Sequence, residues 1–222
     1  DVVGAAVGPQ ARRSVVKALT KLGVTIVARP DILVDTVTAD SVFLADGNSL
    51  PAAVTVWTAG FGVPGLAAAS GLTTDQLGRL RTDETLTSVD DPRIVAAGDA
   101  ASPSGIPLRM SCQAAGPMGI QAAETVLASI AGNEPKVINQ AFAAQCSSIG
   151  RAAGTVQICH SDDSPRQIYI GGRTAAFVKE QVCRATLTFM RKEGRKPGSY
   201  FWFKGDNRAR QLAEAGEEMF IS

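Results

Sequence analysis

Histidine, catalytic hydrolase motifs and long apolar runs are scarce or missing in this sequence, and each gap excludes a class of protein. The 222 residues include one histidine, His160, so a metal site built from several histidines is excluded. No G-x-S-x-G motif occurs, which argues against a serine hydrolase that would have to use His160. No apolar run approaches the roughly 20 residues that a membrane-spanning helix needs. We therefore predict no metal site and no transmembrane segment.

The charge balance and the cysteine spacing exclude two more groups of function. Lys and Arg number 22 against 21 Asp and Glu, and this net charge of +1 gives no electrostatic reason to expect nucleic acid. The four cysteines form no CxxC pair, the pattern of a zinc knuckle or a redox-active dithiol. Because widely spaced cysteines without a secretion signal are typical of a reducing compartment, we predict a cytoplasmic protein.

What the sequence does contain is a succession of helix and strand patterns. Helical spacing of apolar residues covers 11–22, and Gly23 follows as a stop. Apolar, β-branched segments then predict strands at 24–29, 34–37, 42–44 and 53–60, of which the second and third form a hairpin and the last is a buried parallel strand. This order predicts an α/β fold.

The second half of the chain continues the pattern. IVAAGDA, at 94–100, predicts another buried strand that ends on Gly98 and Asp99. The Ala-rich stretch 111–130 predicts a helix that either begins at Pro117 or begins near Ser111 and contains Pro117. Later segments predict a strand pair at 155–160 and 167–172 and a helix at 174–192.

A glycine motif at the middle of the chain allows two interpretations. Gly60-Phe-Gly62-Val-Pro-Gly65 matches the G-x-G-x-x-G dinucleotide fingerprint and follows a predicted strand. The fingerprint needs a long helix whose N-terminus meets the pyrophosphate, and only five residues separate Gly65 from Gly71. We therefore favour a Gly/Pro-rich linker between domains over a nucleotide-binding loop.

The segment GRLRTDETLTSVDDPRIVAAGDA, at 78–100, resembles the second FAD-binding motif of the pyridine nucleotide-disulfide oxidoreductase superfamily. In that motif a polar segment leads into a short apolar run that ends in Gly-Asp. Gly98 would let the backbone approach a ligand closely. An ionised Asp99 would accept hydrogen bonds from the hydroxyls of a ribityl chain.

The resemblance extends to both sides of this motif. ARRSVVKALTKLGVTIV and VTVWTAGF resemble the end of an NAD(P)H-binding domain, and place Thr58, Ala59 and Gly60 at the crossing back to the FAD domain. PLRMSCQAAGPMGIQAAETVLASIAG resembles the helix whose N-terminus faces the flavin. The resemblance therefore implies that four residues at its start contribute to the FAD site: Met110, Ser111, Cys112 and Gln113.

These similarities imply a partial two-dinucleotide-binding-domain flavoprotein in three parts. Residues 1–60 correspond to the end of the NAD(P)H-binding domain and 61–132 to the C-terminal half of the FAD-binding domain. Residues 133–222 correspond to a C-terminal α+β domain, for an interface, a membrane surface or dimerisation, similar to that of type II NADH dehydrogenase-like proteins. The implied activity is an FAD-dependent NAD(P)H dehydrogenase that passes hydride to flavin and electrons to an acceptor.

Two departures from the family pattern bear on that activity. Type II NADH dehydrogenases have A-Q-x-A-x-Q at the flavin-facing helix; Gln113 matches, but Pro117 replaces the second glutamine, so the acceptor is either a quinone or a redox protein. Both first Gly-rich loops of the family precede anything in this chain, so we expect a truncated fragment that is inactive and does not retain FAD. The alternatives are a ferredoxin-type reductase or a non-catalytic module that binds itself or a partner.

Two surfaces are predicted to make contacts. Residues 179–210 carry nine basic and three acidic side chains together with four consecutive aromatics, Tyr200 to Phe203. This composition suits a peripheral contact with the inner face of an anionic membrane, or alternatively a solvated basic face with the aromatics packed inside. The apolar runs 53–58 and 94–97, if left uncovered, predict a homo-oligomer.

Overall fold

The computed structural model describes residues 3–4, 6–28, 32–58 and 60–221, with side chains as far as 215. Its helices are α1 (Pro9–Lys21), α2 (Leu66–Ala69), α3 (Cys112–Ile130), α4 (Gly172–Arg195) and α5 (Asn207–Ile221). Its strands are β1 (Val34–Val37), β2 (Ser41–Leu44), β3 (Ser49–Pro51), β4 (Leu80–Thr82), β5 (Ala101–Pro103), β6 (Ala144–Ile149), β7 (Ala153–Cys159) and β8 (Pro165–Gly171). The predicted mixture of helices and strands is confirmed.

The described residues form two compact units. The first comprises 1–61, 145–158 and 165–179, and the second comprises 62–144, 159–164 and 180–222. The segments of the C-terminal region therefore alternate between the two units. The three-domain division at 60/61 and 132/133 stays a prediction from the sequence.

In the first unit, the helix and hairpin predictions are confirmed. Pro9 occupies the first turn of α1, where its fixed φ suits a helix and its missing N–H costs nothing. Gly23, with φ of 79°, follows the end of this helix. Strand β2 pairs antiparallel with both β1 and β3, and Gly47 takes φ of 85° in the turn between β2 and β3.

A single buried side chain connects the two ends of the first unit's sequence. Strands β6, β7 and β8 form a sheet in that order. Gln157, in β7, accepts a hydrogen bond from the Gly8 N–H at 3.1 Å and donates one to the Ile168 carbonyl at 3.0 Å. Because both partners are backbone groups, Gln157 fixes the start of α1 against β8.

The core of the second unit lies against α3. Six buried residues form it: Leu86, Ala101, Ala114, Met118, Ile138 and Phe142. Leu86 reaches the core from a tight turn in which its own φ is 71°. The Asp83 carboxylate holds this turn by accepting hydrogen bonds from the N–H groups of Thr85 and Thr87, at 2.8 and 3.0 Å. The polar segment before the Gly-Asp motif thus folds to insert one apolar side chain.

Three strand predictions are wrong. Residues 24–28 and 53–58 have no ladder partner in the described chain, and residues 94–97 contribute one isolated bridge, between Val95 and Thr87. Val54 and Val56 are 81% and 77% exposed, which contradicts a strand buried on both faces. The physical reason is that an apolar run becomes a strand only where another strand supplies its hydrogen bonds.

Helix α3 begins at Cys112, so Pro117 lies inside it rather than at its start. A proline has no N–H, and the carbonyl four residues earlier, that of Gln113, loses its helical partner. The buried Gln140 side chain replaces that partner, since its Nε2 donates to the Gln113 carbonyl at 3.2 Å. The helix tolerates Pro117 because a side chain from outside satisfies the freed oxygen.

Candidate functional site

Gly98 and Asp99 form a sharp turn against helix α3. Gly98 begins one turn of 3-10 helix, Gly98–Ala100, with φ of 64°. A Cβ atom at this position would lie 3.3 Å from the Ala115 Cβ, so glycine is needed both for the backbone conformation and for the close approach to α3. Asp99 is exposed, and its carboxylate makes no hydrogen bond or ion pair within the described part of the chain. Its oxygens are available to hydrogen-bond donors of a ligand.

The start of α3 lies in the same unit as this turn. The Ser111 hydroxyl caps the helix by accepting a hydrogen bond from the Ala114 N–H at 3.4 Å. Met110 and Ser111 are half-buried, and Cys112 is exposed at the first helical position. A helix N-terminus carries partial positive charge, which favours a negative group nearby.

Gln113 has a structural task that the sequence does not reveal. Its amide is satisfied when the nitrogen donates to the Ala144 carbonyl, at 3.0 Å, and the oxygen accepts from the Ala143 N–H, at 3.1 Å. The preceding Arg109 forms an ion pair with Asp163 and lies over the Phe142 ring, 5.1 Å from its centroid. These contacts attach the segment 142–144 to the start of α3. The assignment of Gln113 to the FAD site stays a prediction.

The predicted crossing residues lie in the other unit. Thr58 and Gly60 are exposed in the first unit, whereas Gly98, Asp99 and 110–113 belong to the second. Ala59 lies outside the described residues. A Cβ on Gly60, Gly62 or Gly65 would meet no atom within 4 Å, and only the four-residue helix α2 follows. This geometry favours the linker interpretation of the glycine motif over a nucleotide-binding loop.

An aromatic cleft beside α3 was not recognised as part of the site from the sequence. It has a volume of about 510 Å³ and is lined by Ile120 and Glu124 of α3 and by residues 198 and 200–204. A side chain at position 116 would collide with the Tyr200 hydroxyl. Gly116, in the interior of α3, therefore allows Tyr200 to pack against the helix. Burial raises the pKa of Tyr200, and the nearby Cys112 adds to the shift. The only sequence signal for this contact is a glycine within a predicted helix, where glycine is unfavourable.

One carboxylate organises the loop that carries these aromatics. Glu193, near the end of α4, accepts hydrogen bonds from the N–H groups of Gly198 and Tyr200, both at 2.6 Å. The N–H of Gly198 is the main cause that lowers the pKa of Glu193; partial burial opposes it, and the N–H of Tyr200 adds to it. Trp202 is fixed further on by donation from its Nε1 to the Asn139 carbonyl at 2.8 Å. Phe201 and Phe203 remain 62% and 51% exposed.

The described residues include neither a membrane-spanning helix nor a metal-binding cluster. None of their helices is long and apolar enough to cross a membrane. No three His, Cys, Asp or Glu side chains among them come close enough to hold a metal ion. None of the four cysteines forms a disulfide within the described residues; Cys112 and Cys183 are exposed and Cys159 is buried.

Comparison with known proteins gives concordant results. The family model described as pyridine nucleotide-disulphide oxidoreductase matches residues 1–132. The NADH dehydrogenase-like proteins MT1860 and Rv1812c of Mycobacterium tuberculosis are each 36% identical over 120 residues, which are 53% of this chain and 30% of each relative. The chain therefore spans less than a third of the length of these curated relatives.

Two solved structures show the same fold. The sulfide:quinone oxidoreductase of the hyperthermophilic bacterium Aquifex aeolicus matches with a TM-score of 0.59 and 17% identity, covering 83% of this chain and 45% of that one. A NAD-dependent persulfide reductase from A. fulgidus matches with a TM-score of 0.52 and 19% identity, covering 71% and 30%. At these identities the likeness concerns the fold alone.

Proposed function

The chain belongs to the pyridine nucleotide-disulphide oxidoreductase family, and we propose that it is part of an FAD-dependent NAD(P)H dehydrogenase. The observation that carries the proposal is the exposed Asp99 carboxylate, directly after a glycine that is held against α3. Bound FAD would accept hydride from NAD(P)H and pass electrons to an acceptor. The names of the mycobacterial relatives support the NADH side of this assignment.

The described residues fit one end of an FAD site. Gly98 packs closely against Ala115 of α3 and takes φ of 64°, which fixes the turn that presents Asp99. Asp99 would hold ribityl hydroxyls through hydrogen bonds to its ionised oxygens. The Ser111-capped start of α3 would stabilise negative charge on the ring. Met110, Cys112 and Gln113 would line the same end, whereas the assignment of Thr58, Ala59 and Gly60 to a crossing segment stays a prediction from the sequence.

Binding of FAD at this place can be mapped residue by residue. An isotope-labelled sample of the 222-residue chain is titrated with FAD and, separately, with riboflavin, which shares the ring and the ribityl chain but lacks the phosphates. Because this chain is expected not to retain FAD through purification, both ligands are added in large excess, and we expect the largest amide shifts at 98–100 and 110–113. Shifts confined to other segments, or none at all, would contradict the proposal.

For the electron acceptor we propose a molecule at a membrane surface, such as a quinone. Exposed Phe201 and Phe203 lie beside Lys204, whose ammonium sits 4.8 Å from the centre of the Trp202 ring. Apolar rings next to cations suit an anionic lipid interface. We expect binding to anionic vesicles that Phe201→Ser with Phe203→Ser removes and Phe177→Ser, at a similarly exposed ring, does not. Equal binding by all three proteins would favour a soluble redox partner.

A second candidate, a self-associating module without catalysis, is favoured by one observation. Val54, Val56 and Trp57 are all largely exposed, which is unusual for three apolar residues so close in sequence. A second copy of the chain could cover them. Flavin binding at 98–113 would distinguish the two candidate functions, because a non-catalytic module does not require the Gly98-Asp99 turn to bind a ligand.

A further inference from the structure

The second unit has a cleft of about 720 Å³ whose lining includes none of the residues predicted to bind FAD or NAD(P)H. It is lined by residues 74–77, Arg79, Arg81, Gly105 and Pro107. Its volume falls within the roughly 300–1,000 Å³ typical of small-molecule sites. Its charged side chains are two guanidinium groups and one carboxylate, so the lining is net positive.

Arg81 is the central residue of β4, between two buried neighbours, Leu80 and Thr82. Because strand side chains alternate, Arg81 projects to the opposite face from these two. A Cβ on Gly105 would lie 2.6 Å from one guanidinium nitrogen of Arg81, and the backbone φ of Gly105 is 72°. The glycine therefore leaves the space in which the guanidinium packs flat against the 103–107 loop.

The carboxylate in the cleft does not neutralise Arg81. Asp75 accepts hydrogen bonds from the Arg79 Nε at 2.6 Å and from the Arg79 N–H at 3.0 Å, so its oxygens are committed to Arg79. Burial alone would raise the pKa of Asp75, but these bonds outweigh it and lower the pKa. The Arg81 guanidinium makes no hydrogen bond or ion pair within the described residues, although it is half-buried. Its charge is therefore not balanced by a described side chain, and its donors are available to an anion.

We propose that this cleft binds the phosphoryl group of a small molecule, with the Arg81 guanidinium as the principal contact. A guanidinium presents a planar set of donors that matches phosphate oxygens in a bidentate manner. Thr74 and Gln76 add a hydroxyl and an amide on the same lining. The cleft is larger than inorganic phosphate requires, so the phosphoryl group is expected to be carried by a larger molecule such as a nucleotide.

Calorimetric titration of the 222-residue chain with inorganic phosphate and with ADP tests this site. We expect both to bind, and ADP to bind more tightly if a nucleotide is the natural source. Arg81→Ala should weaken binding about tenfold to a hundredfold, the usual loss for charge-assisted hydrogen bonds. Arg93→Ala is the matched control. It removes the same charge from the same unit, at a side chain that is 86% exposed.

Two further variants keep the test decisive. Gly105→Ala retains Arg81 but must displace its guanidinium, so it should weaken phosphate binding without removing a charge. Arg81→Gln keeps most of the side chain and should reproduce the loss if Arg81→Ala does not fold, as judged by circular dichroism. Absence of binding by the unmodified chain, or equal binding by the Arg81 and Arg93 variants, would overturn the proposal.

Discussion

Two apolar runs in this chain have the same pattern but opposite environments. In the first unit, Val54, Val56 and Trp57 are 81%, 77% and 63% exposed. In the second, Val95, Ala96 and Ala97 pack against the core around Leu86 and Ala114. Both runs were predicted to be buried strands, and neither forms one. An apolar run therefore indicates that a segment tends to be buried, but it does not show whether another segment buries it.

The covered run owes its environment to neighbours that are close in sequence. The Ala96 N–H donates to the Leu86 carbonyl at 3.0 Å, which ties the run to the preceding turn. One turn of 3-10 helix begins at Gly98, and α3 follows from Cys112 to supply Ala114 and Met118. Local connections of this kind form without a large loop-closure cost. The exposed run has no comparable neighbour in the described residues of its unit.

In the packed second unit, the largest loss of stability is expected from a change at Arg208, which is 4% exposed. Its guanidinium donates to both Glu84 oxygens, at 2.8 and 2.7 Å, and to the Ile106 carbonyl at 2.7 Å. Arg208→Ala leaves a carboxylate without its partner in a nearly buried place, so we expect a loss of about 3–5 kcal/mol in the free energy of unfolding. Chemical denaturation measures it.

The matched control for Arg208 is Arg184, which forms an exposed pair with Glu180 one helical turn away. Arg184→Ala should change the free energy of unfolding by no more than about 0.5 kcal/mol. If the two variants lose similar amounts, the Arg208 network is not what holds the second unit together.

The next largest effect is expected at the end of the packed run, on ligand binding rather than on stability. Asp99→Ala removes a carboxylate that the fold itself does not use, so unfolding should be nearly unchanged. In a full-length protein that retains the flavin, FAD binding should weaken by on the order of 1.5–3 kcal/mol, or about tenfold to a hundredfold. Flavin fluorescence titration measures this, with Glu134→Ala, an exposed carboxylate beyond α3, as the control. Equal affinity in both variants would remove Asp99 from the site.

The exposed run predicts self-association. If a second copy covers Val54, Val56 and Trp57, light scattering at micromolar concentration should give a mass above 23.1 kDa. Val56→Ser with Trp57→Ser should weaken the assembly at least about tenfold, since aromatic side chains dominate such interfaces. Ile130→Ser, at the comparably exposed end of α3, should leave the mass unchanged. A monomer at all concentrations would show that exposure alone does not drive this chain to associate.

The elements that the sequence predicts correctly are those with a local signature. Helices α1 and α3 have apolar spacing, and Gly23 and Gly132 follow their ends with positive φ. The hairpin and the strand pair β7–β8 have β-branched residues bounded by turns. Strands β3 and β6 and helix α5 were not predicted, because their stability comes from neighbours rather than from their own pattern.

The same division holds for the candidate site. The Gly98-Asp99 turn and the start of α3 were predicted from motifs, and both lie in one unit beside the same core. No pattern predicts that the Gln113 amide meets residues 143–144, or that Glu84 pairs with an arginine 124 residues later. Such contacts depend on how distant segments pack, and a single sequence contains no local trace of them.

The smallest expected effect concerns the aromatic segment, which combines packed and exposed residues. Glu193 accepts the N–H groups of Gly198 and Tyr200, and chiefly the Gly198 N–H lowers its pKa below the ordinary value of 4.5. A carboxyl whose pKa is lowered on folding stabilises the fold above its unfolded pKa. That contribution is lost as the pH falls through the lowered pKa, when protonation weakens both hydrogen bonds.

Glu193→Gln therefore should be slightly less stable than the unmodified chain near neutral pH and equal to it at acidic pH. The reason is that the amide oxygen still accepts hydrogen bonds but carries no charge to strengthen them. Denaturation followed by circular dichroism across a pH series measures the difference. Glu124→Gln, on the far side of the same cleft and without this loop contact, should show no such pH dependence. A gap between the Glu193 variant and the unmodified chain that persists at acidic pH would mean that the side chain acts through its packing rather than through its charge.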